Sequence, residues 1–184
     1  MPKPRALFLD RDGVINHDSG YTHKIEDFRF IEGIFDLCRV ARELGYQLVV
    51  ATNQAGIGRG LYTESDFLHL TEWMKQRFSA EGAPLAAVYH CPYHPEGIGR
   101  YRQRSDWRKP EPGMLLQAAR DLNLDLSKSV MIGDNEHDVT AAKAAGLAAA
   151  ILLGEPGRLV TQADIVLAAH AEIAVWLKGF SKTH

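Results

Sequence analysis

Cysteine is scarce in this chain of 184 residues, where Cys38 and Cys91 are the only two. Two cysteines can form at most one bridge, so the sequence does not predict a secreted fold that depends on disulfides. Long apolar runs are also missing, since no stretch approaches the roughly 20 residues that a membrane helix needs, and the N-terminus lacks the features of a signal peptide. We therefore expect a cytoplasmic protein without a membrane partner.

A strong excess of either charge is absent too, because the formal net charge is −2. This balance gives no overall attraction to a nucleic-acid backbone, and we expect no nucleic-acid partner. An apolar fraction of 46% and a charged fraction of 24% are typical of globular domains, which excludes a fibrous or largely disordered chain. The length predicts a single domain over residues 1–184, and we expect it to be a monomer.

Short apolar runs alternate with amphipathic segments along the chain. Runs that are apolar throughout predict strands buried on both faces, at 6–10, 46–52, 85–90, 129–134 and 148–153. The intervening segments predict helices at 33–45, 62–82, 112–124 and 135–146, and 164–180 predicts a short strand and a final helix. This alternation predicts an α/β fold with a mainly parallel sheet between two helical layers. The two irregular stretches, 16–32 and 91–109, are too short to form a cap domain.

Polar residues follow the predicted strands where each strand ends. Asp10 ends the first strand and Asp12 lies two residues further on, Thr52 ends the second, Asp134 ends the fourth, and Lys109 lies ahead of the fourth. Taken singly, such residues are most often helix caps and turn formers. Together they favour a ligand site, because parallel strands bring their carboxyl ends to one edge of the sheet.

Three carboxylates at that edge, those of Asp10, Asp12 and Asp134, would repel one another unless a cation neutralised them. Hard oxygen ligands suit Mg²⁺, which is commonly shared between carboxylates and a substrate phosphate. The pattern therefore predicts a magnesium site, a phosphate compound as substrate, and an aspartyl-phosphate intermediate. In this arrangement we expect Arg11 to point away from the site and Gly13 to permit a tight bend.

Four segments together resemble the motifs of the haloacid dehalogenase (HAD) superfamily of phosphohydrolases. They are "LFLDRDGVIN" (7–16), the apolar run ending at Thr52, Lys109 in "RKPEPGM" (108–114), and "GDNEHD" (133–138), in the expected order. The resemblance implies that Asp10 is the nucleophile and Asp12 the general acid and base. It also implies that Thr52 and Lys109 hold the phosphoryl oxygens, that Asp10, Asp134 and the backbone carbonyl of Asp12 bind Mg²⁺, and that Asp138 orients these groups from behind.

Within this superfamily the chain resembles the heptose 1,7-bisphosphate phosphatases. The similar segments are "HDSGYTHKIEDFRFIEG" (17–33), "TNQAGIGRG" (52–60) and the loop leading to Lys109. The resemblance implies removal of the 7-phosphate of D-glycero-D-manno-heptose 1,7-bisphosphate, a step in the synthesis of lipopolysaccharide precursors. The substrate-binding residues that we expect on this basis are Asp18, Ser19, Gly20, Tyr21, Asn53, Gln54, Ala55, Arg59, Arg108 and Asn135.

The loop 91–109 is basic and departs from that family's pattern in one respect. We expect Arg108 to bind the second phosphate, whereas Arg100, Arg102 and Arg104 fit a solvated loop equally well. The family's loop commonly binds a structural zinc ion, but the corresponding positions here are Cys91, Tyr93, Ser105 and Trp107. Because tetrahedral zinc needs four ligands, we predict that zinc is absent and that Tyr93, Tyr101 and Trp107 hold the loop by packing.

Three other functions are compatible with parts of the pattern. Histidinol-phosphate phosphatases share much of it, and a site without a cap could admit the end of a nucleic acid, although the net acidity opposes this. A receiver-like signalling switch also uses a strand-end Asp with a Thr and a Lys. Asp12 favours hydrolysis over such a switch, because a long-lived phosphoaspartate does not need an acid at that position.

Overall fold

A computed structural model describes residues 2–157 and 160–183 of the chain. In these residues a sheet of six parallel strands forms the centre: β1 (Arg5–Leu9), β2 (Tyr46–Asn53), β3 (Ala87–Cys91), β4 (Val130–Gly133), β5 (Ala149–Leu153) and β6 (Ile165–Leu167). Their order across the sheet is β3-β2-β1-β4-β5-β6. The parallel sheet predicted from the sequence is confirmed.

The strand order places the functional edge of the sheet. The chain starts in the middle with β1, proceeds outward through β2 and β3, and then returns to place β4 on the other side of β1. The order therefore reverses between β1 and β4, and ligands of open parallel sheets bind beyond the strand ends at such a reversal.

Helices cover both faces of the sheet. They are α1 (Ile34–Glu43), α2 (Ala55–Gly58), α3 (Glu64–Ala80), α4 (Gly113–Asp121), α5 (Glu136–Ala144) and α6 (His170–Phe180). One apolar cluster joins alternate strand residues such as Leu7 and Leu9 to α1, α3 and α6, and a second joins Ala6 and Phe8 to α4 and α5. Because successive strand residues point to opposite faces, one apolar run supplies both clusters. The structure thus has the three layers expected from the sequence.

Local signals explain several helix boundaries. Thr63 caps α3, since its hydroxyl accepts the Asp66 N–H while the Asp66 carboxylate accepts the Thr63 N–H. The predicted helix 112–124 ends early at Asp121, and Asn123 has a left-handed φ of 51°. The four-residue helix α2 has no counterpart among the predicted elements.

The C-terminal segment packs on the core, as its amphipathic pattern predicts. Ile173 and Leu177 of α6 are fully buried, and His170 Nε2 donates a hydrogen bond of 2.8 Å to the Val14 carbonyl in the loop after β1. The two cysteines are free and lie in different apolar clusters, Cys38 on one face and Cys91 on the other. Within 2–157 and 160–183, none of the helices is both long and apolar enough to cross a membrane.

Candidate active site

The turn after β1 carries Asp10 and Asp12, and it is shaped by a glycine. Gly13 has a φ of 84°, a conformation that suits glycine, and a Cβ at this position would lie only 1.9 Å from Asp134 Oδ2. The glycine therefore permits the bend, as predicted, and also lets the end of β4 approach the turn.

Arg11 does not point away from the site, so that expectation is wrong. Its side chain is 2% exposed, and Nη2 contacts both oxygens of Asp12 at 3.0 and 3.1 Å and the Thr22 carbonyl at 2.6 Å. A buried guanidinium needs acceptors, and the adjacent Asp12 carboxylate supplies them. Asn16 Nδ2 and Gln54 Nε2 also donate to Asp12, at 3.0 and 3.1 Å, so the carboxylate is held from three sides.

Lys109 lies in the loop before α4, and its ammonium is buried at the end of β1. Nζ lies 3.0 Å from Asp10 Oδ1 and 2.6 Å from Asp138 Oδ1, and it donates to the Ala51 carbonyl at 2.7 Å. Burial opposes the charged form, but the two carboxylates outweigh it and raise the pKa of Lys109. The lysine therefore presents a fixed positive charge beside Asp10.

Carboxylate oxygens of Asp10, Asp134 and Asp138 lie within 4.8 Å of one another. Burial, with the nearby Asp138 charge, raises the pKa of Asp10 to about 8 and that of Asp134 to about 6. Gly133 allows this crowding, because a Cβ there would lie 2.1 Å from Asp138 Cβ. A bound divalent cation would relieve this repulsion, and carboxylate oxygens are the ligands that hard divalent ions prefer.

These groups face one cavity of about 330 Å³ at the end of the sheet. Of the residues expected to form the site, those on its wall are Asp10, Asp12, Asp18, Gly20, Tyr21, Asn53, Gln54, Ala55, Arg108, Lys109, Asp134, Asn135 and Asp138. Most of the residues named from the sequence are therefore brought together. Tyr21 is in a left-handed conformation with a φ of 53°, which is unusual for a non-glycine residue.

Three expected residues do not line the cavity. Thr52 is buried behind Gln54, whose Nε2 donates to its hydroxyl at 2.9 Å. The Ser19 hydroxyl pairs with Thr22 at 2.8 Å. Arg59 stands behind Tyr21, donating to its hydroxyl at 3.1 Å, and pairs with Glu96 at 3.0 Å.

Sequence reasoning missed other residues on the wall, namely Gly56, Tyr62 and His137. A Cβ at Gly56 would lie 2.1 Å from Tyr62 Cε1, so the tyrosine ring lies directly against α2. The glycines of "TNQAGIGRG" were a signal of such close approach.

The loop 91–109 is held by packing and backbone bonds. The Tyr93 and Tyr101 rings are 6.2 Å apart, while Trp107 packs 6.1 Å from Tyr89 of β3. Cys91 is buried. The three exposed arginines of this loop do not lie on the cavity wall: Arg100, Arg102 and Arg104. Arg108 is on the wall, and its buried Nη1 has no hydrogen-bond partner in the described residues.

Comparison with known proteins decides the family. A protein of Burkholderia mallei named D-glycero-alpha-D-manno-heptose-1,7-bisphosphate 7-phosphatase is 51% identical over 180 residues, covering 96% of this chain and 95% of that protein. This chain belongs to the heptose-1,7-bisphosphate 7-phosphatase family. A family member from Vibrio cholerae, named for the beta anomer, is 48% identical over 91% of this chain and 90% of its own length.

The family assignment agrees with the fold and with the motifs. A model for HAD-hydrolase-like proteins matches residues 106–175. The crystal structure of the family's D,D-heptose 1,7-bisphosphate phosphatase from B. bronchiseptica, complexed with magnesium and phosphate, superposes with a TM-score of 0.79 at 28% identity, covering 95% of this chain and 98% of that one. The resemblance to HAD phosphatases is confirmed, and the chain is a phosphatase.

Proposed function

We propose that this phosphatase removes the 7-phosphate of D-glycero-D-manno-heptose 1,7-bisphosphate, in the synthesis of lipopolysaccharide precursors. One observation supports this type of reaction: Lys109 Nζ contacts both Asp10 and Asp138, whereas Asp12 is held by other side chains, among them Gln54. A nucleophile, a fixed cation and an acid then face one cavity, which is the set that phosphoryl transfer through an aspartyl intermediate needs.

The residues would act in two displacements. Asp10 attacks the phosphorus, the bond from phosphorus to the C7 oxygen breaks, and Asp12 gives its proton to that oxygen as it leaves. Asp12 then takes a proton from water, and the water oxygen attacks the phosphorus, which releases phosphate and restores Asp10. Lys109 offsets the negative charge that builds up on the phosphoryl oxygens in both steps.

The donor set fits Mg²⁺, since the crowded carboxylates of Asp10 and Asp134 carry raised pKa values that a bound cation would relieve. The ion would be held by Asp10, Asp134 and the backbone carbonyl of Asp12. Asp138 instead accepts a hydrogen bond from Lys109 and positions that lysine. When bound, Mg²⁺ neutralises these carboxylates and polarises the phosphoryl group.

The second phosphate would bind Arg108. Its guanidinium is half-buried on the cavity wall with Nη1 unpartnered, so an anion there would satisfy a polar atom that is otherwise costly to bury. Asp18, Tyr21 and Asn135 share that wall and are suited to bind sugar hydroxyls.

We propose that the loop 91–109 works without zinc. Only Cys91 remains of the four expected ligand positions, His94 Nδ1 accepts the Glu96 N–H, and the His90 ring packs on Phe67 at 4.2 Å. Zinc analysis of protein purified without added metal is expected to give far less than one equivalent, and one zinc per chain would contradict this.

We further propose that residues 1–184 act as one domain and as a monomer, in the cytoplasm where a soluble sugar phosphate is available. Light scattering after gel filtration is expected to give the mass of one chain, 20.5 kDa. A dimer mass at assay concentrations would contradict it.

Substrate identity is tested with purified protein and Mg²⁺ on both anomers of the bisphosphate, because the relatives are named for different anomers. Phosphorus NMR is expected to show loss of the 7-phosphate and retention of the 1-phosphate, and Asp10→Asn is expected to abolish turnover. Histidinol phosphate and a 5′-phosphorylated oligonucleotide are the competing substrates. Faster turnover of either one would replace this proposal.

A further inference from the structure

We infer that Tyr62 is a positioning residue for the general acid Asp12, acting through the side-chain amide of Gln54. The inference rests on the proposed role of Asp12 in protonating the leaving group. The residues concerned form what we term the Asp12 relay, which consists of Tyr62, Gln54, Thr52 and Asp12.

The amide of Gln54 has a single orientation that satisfies its neighbours. Its side chain is 2% exposed, and Nε2 donates to Asp12 Oδ2 at 3.1 Å and to Thr52 Oγ1 at 2.9 Å. An amide nitrogen has two hydrogens, so both are used. Rotation of the amide by half a turn would place its carbonyl oxygen against the Asp12 carboxylate, which is repulsive.

Tyr62 holds the other end of that amide. Its hydroxyl donates to Gln54 Oε1, and Tyr62 itself is 6% exposed, so water does not readily replace the donor. Two contacts hold the ring, because it lies against Gly56 and stacks on His23 with centroids 4.9 Å apart and planes 6° apart. Tyr62 is therefore a rigid donor whose hydroxyl determines which way Gln54 faces.

The consequence for catalysis follows from the geometry at Asp12. Arg11 Nη2 contacts both oxygens of Asp12 and Asn16 Nδ2 donates to Oδ1, while Gln54 Nε2 is the amide donor to Oδ2. Without the tyrosine hydroxyl, the buried Oε1 of Gln54 would lack its donor, and the amide would turn away from Asp12. The Asp12 carboxyl group would keep its contacts with Arg11 and Asn16 but lose the Gln54 hydrogen bond to Oδ2, so the position of that oxygen relative to the leaving oxygen would be fixed by Arg11 alone.

The experiment compares substrates that differ in their need for an acid. In Tyr62→Phe we expect kcat/KM for an alkyl phosphate, the heptose bisphosphate, to fall about tenfold or more, because an alkoxide needs protonation. For p-nitrophenyl phosphate, whose leaving group departs without a proton, we expect a change of less than about twofold. Equal losses on both substrates, or no loss on either, would overturn the inference.

Two comparisons separate positioning from simple destabilisation. Tyr46→Phe is the matched control, since Tyr46 is also a buried tyrosine whose hydroxyl makes a side-chain hydrogen bond, to Ser181 at 3.1 Å, and we expect no change in the ratio of the two kcat/KM values. In a Gln54→Leu background, Tyr62→Phe is expected to add no further loss, because the two residues act as one unit. An additive loss would show that Tyr62 does not act through Gln54.

A measurement that needs no turnover checks the first link of the relay. The side-chain amide hydrogens of Gln54 are expected to exchange slowly with solvent in the wild type and at least about tenfold faster in Tyr62→Phe. Unchanged exchange would overturn the inference. If the natural sugar substrate proves to be different, any alkyl phosphate that the wild type hydrolyses provides the same ratio, so a wrong substrate assignment is distinguishable from failure of this inference.

Discussion

Asn53 pairs with the backbone of Lys109 through both ends of its amide: Nδ2 donates to the Lys109 carbonyl at 2.9 Å, and Oδ1 accepts the Lys109 N–H at 3.0 Å. The last residue of β2 thereby fixes the loop that carries the buried ammonium. Asn53 was expected to bind substrate, and it does lie on the cavity wall, but its side-chain bonds go to the protein.

Asn53→Ala removes two hydrogen bonds to the Lys109 backbone. We expect a loss of roughly 1 to 3 kcal/mol in the free energy of unfolding and a fall in kcat of at least about tenfold, because Lys109 is no longer held against Asp10. Denaturant titration and steady-state kinetics measure these. Gln103→Ala, which removes one surface amide bond to Arg100, is the control that should leave both nearly unchanged. Equal effects of the two variants would contradict the role of Asn53.

Gly13→Ala and Gly45→Ala place the same methyl group at nearly the same backbone angle, with φ of 84° and 85°. Both pay the cost of a left-handed alanine, about 1 kcal/mol. At Gly13 the new Cβ would also meet Asp134 Oδ2 at 1.9 Å, whereas at Gly45 it meets nothing within 4 Å. We expect Gly13→Ala to lose Mg²⁺ affinity and activity and Gly45→Ala to keep both, as measured by calorimetry and phosphate release. Retained Mg²⁺ binding in Gly13→Ala would be inconsistent with a metal site at Asp134.

The raised pKa values of Asp10 and Asp134 predict how stability depends on pH without metal. Above about pH 4 the unfolded chain loses the protons of these two carboxyl groups, whereas the folded protein keeps them up to about pH 8 for Asp10 and about pH 6 for Asp134. Their contribution to the free energy of unfolding is therefore largest at the acid end of that range and decreases as the pH rises. The measurement is the melting temperature of Asp134→Asn minus that of the wild type, both in EDTA. We expect this difference to increase by a few degrees as the pH goes from about 5 to about 8.

Mg²⁺ is expected to reverse that trend in the wild type, because it binds the ionised carboxylates. The increase in melting temperature that Mg²⁺ produces should be larger at about pH 8 than at about pH 6, and it should be much reduced in Asp134→Asn. An increase that does not depend on pH, or that survives in the variant, would argue against this donor set.

Arg108→Gln is expected to raise KM for the bisphosphate about tenfold and to leave KM for p-nitrophenyl phosphate nearly unchanged. The reason is that only the bisphosphate offers a second phosphate to the unpartnered Nη1 of Arg108. Arg100→Gln is the control, since Arg100 is exposed and contacts Tyr101 and Glu64 instead of the cavity. A similar rise in KM for both substrates would mean that Arg108 binds the transferred phosphate.

The sequence was sufficient for the fold and for the central acids. Continuous apolar strands dictate a parallel sheet, and such a sheet brings the ends of β1, β2 and β4 together whatever the details of its loops. The sequence alone therefore places Asp10, Asp12 and Asp134 on one edge of the sheet. The resemblance to a known family added the substrate, which no pattern of strands and charges could supply.

What the sequence did not reveal is how side chains compete for partners. Arg11 was expected to face away because neighbouring residues alternate, but its guanidinium is buried against the Asp12 carboxylate and the Thr22 carbonyl. Gln54 and Tyr62 are eight residues apart, and their bond depends on the tight turn of α2 and on Gly56. Such contacts are decided by packing in three dimensions, which a linear pattern does not encode.

The ammonium of Lys109 contacts groups from three elements: Asp10 after β1, Ala51 in β2 and Asp138 in α5. During synthesis the nucleophile therefore cannot acquire its full environment until the chain has left the ribosome beyond residue 138. A chain that ends before Asp138 lacks one of the two carboxylates that hold the Lys109 ammonium, so the charge arrangement around the nucleophile requires both halves of the sheet.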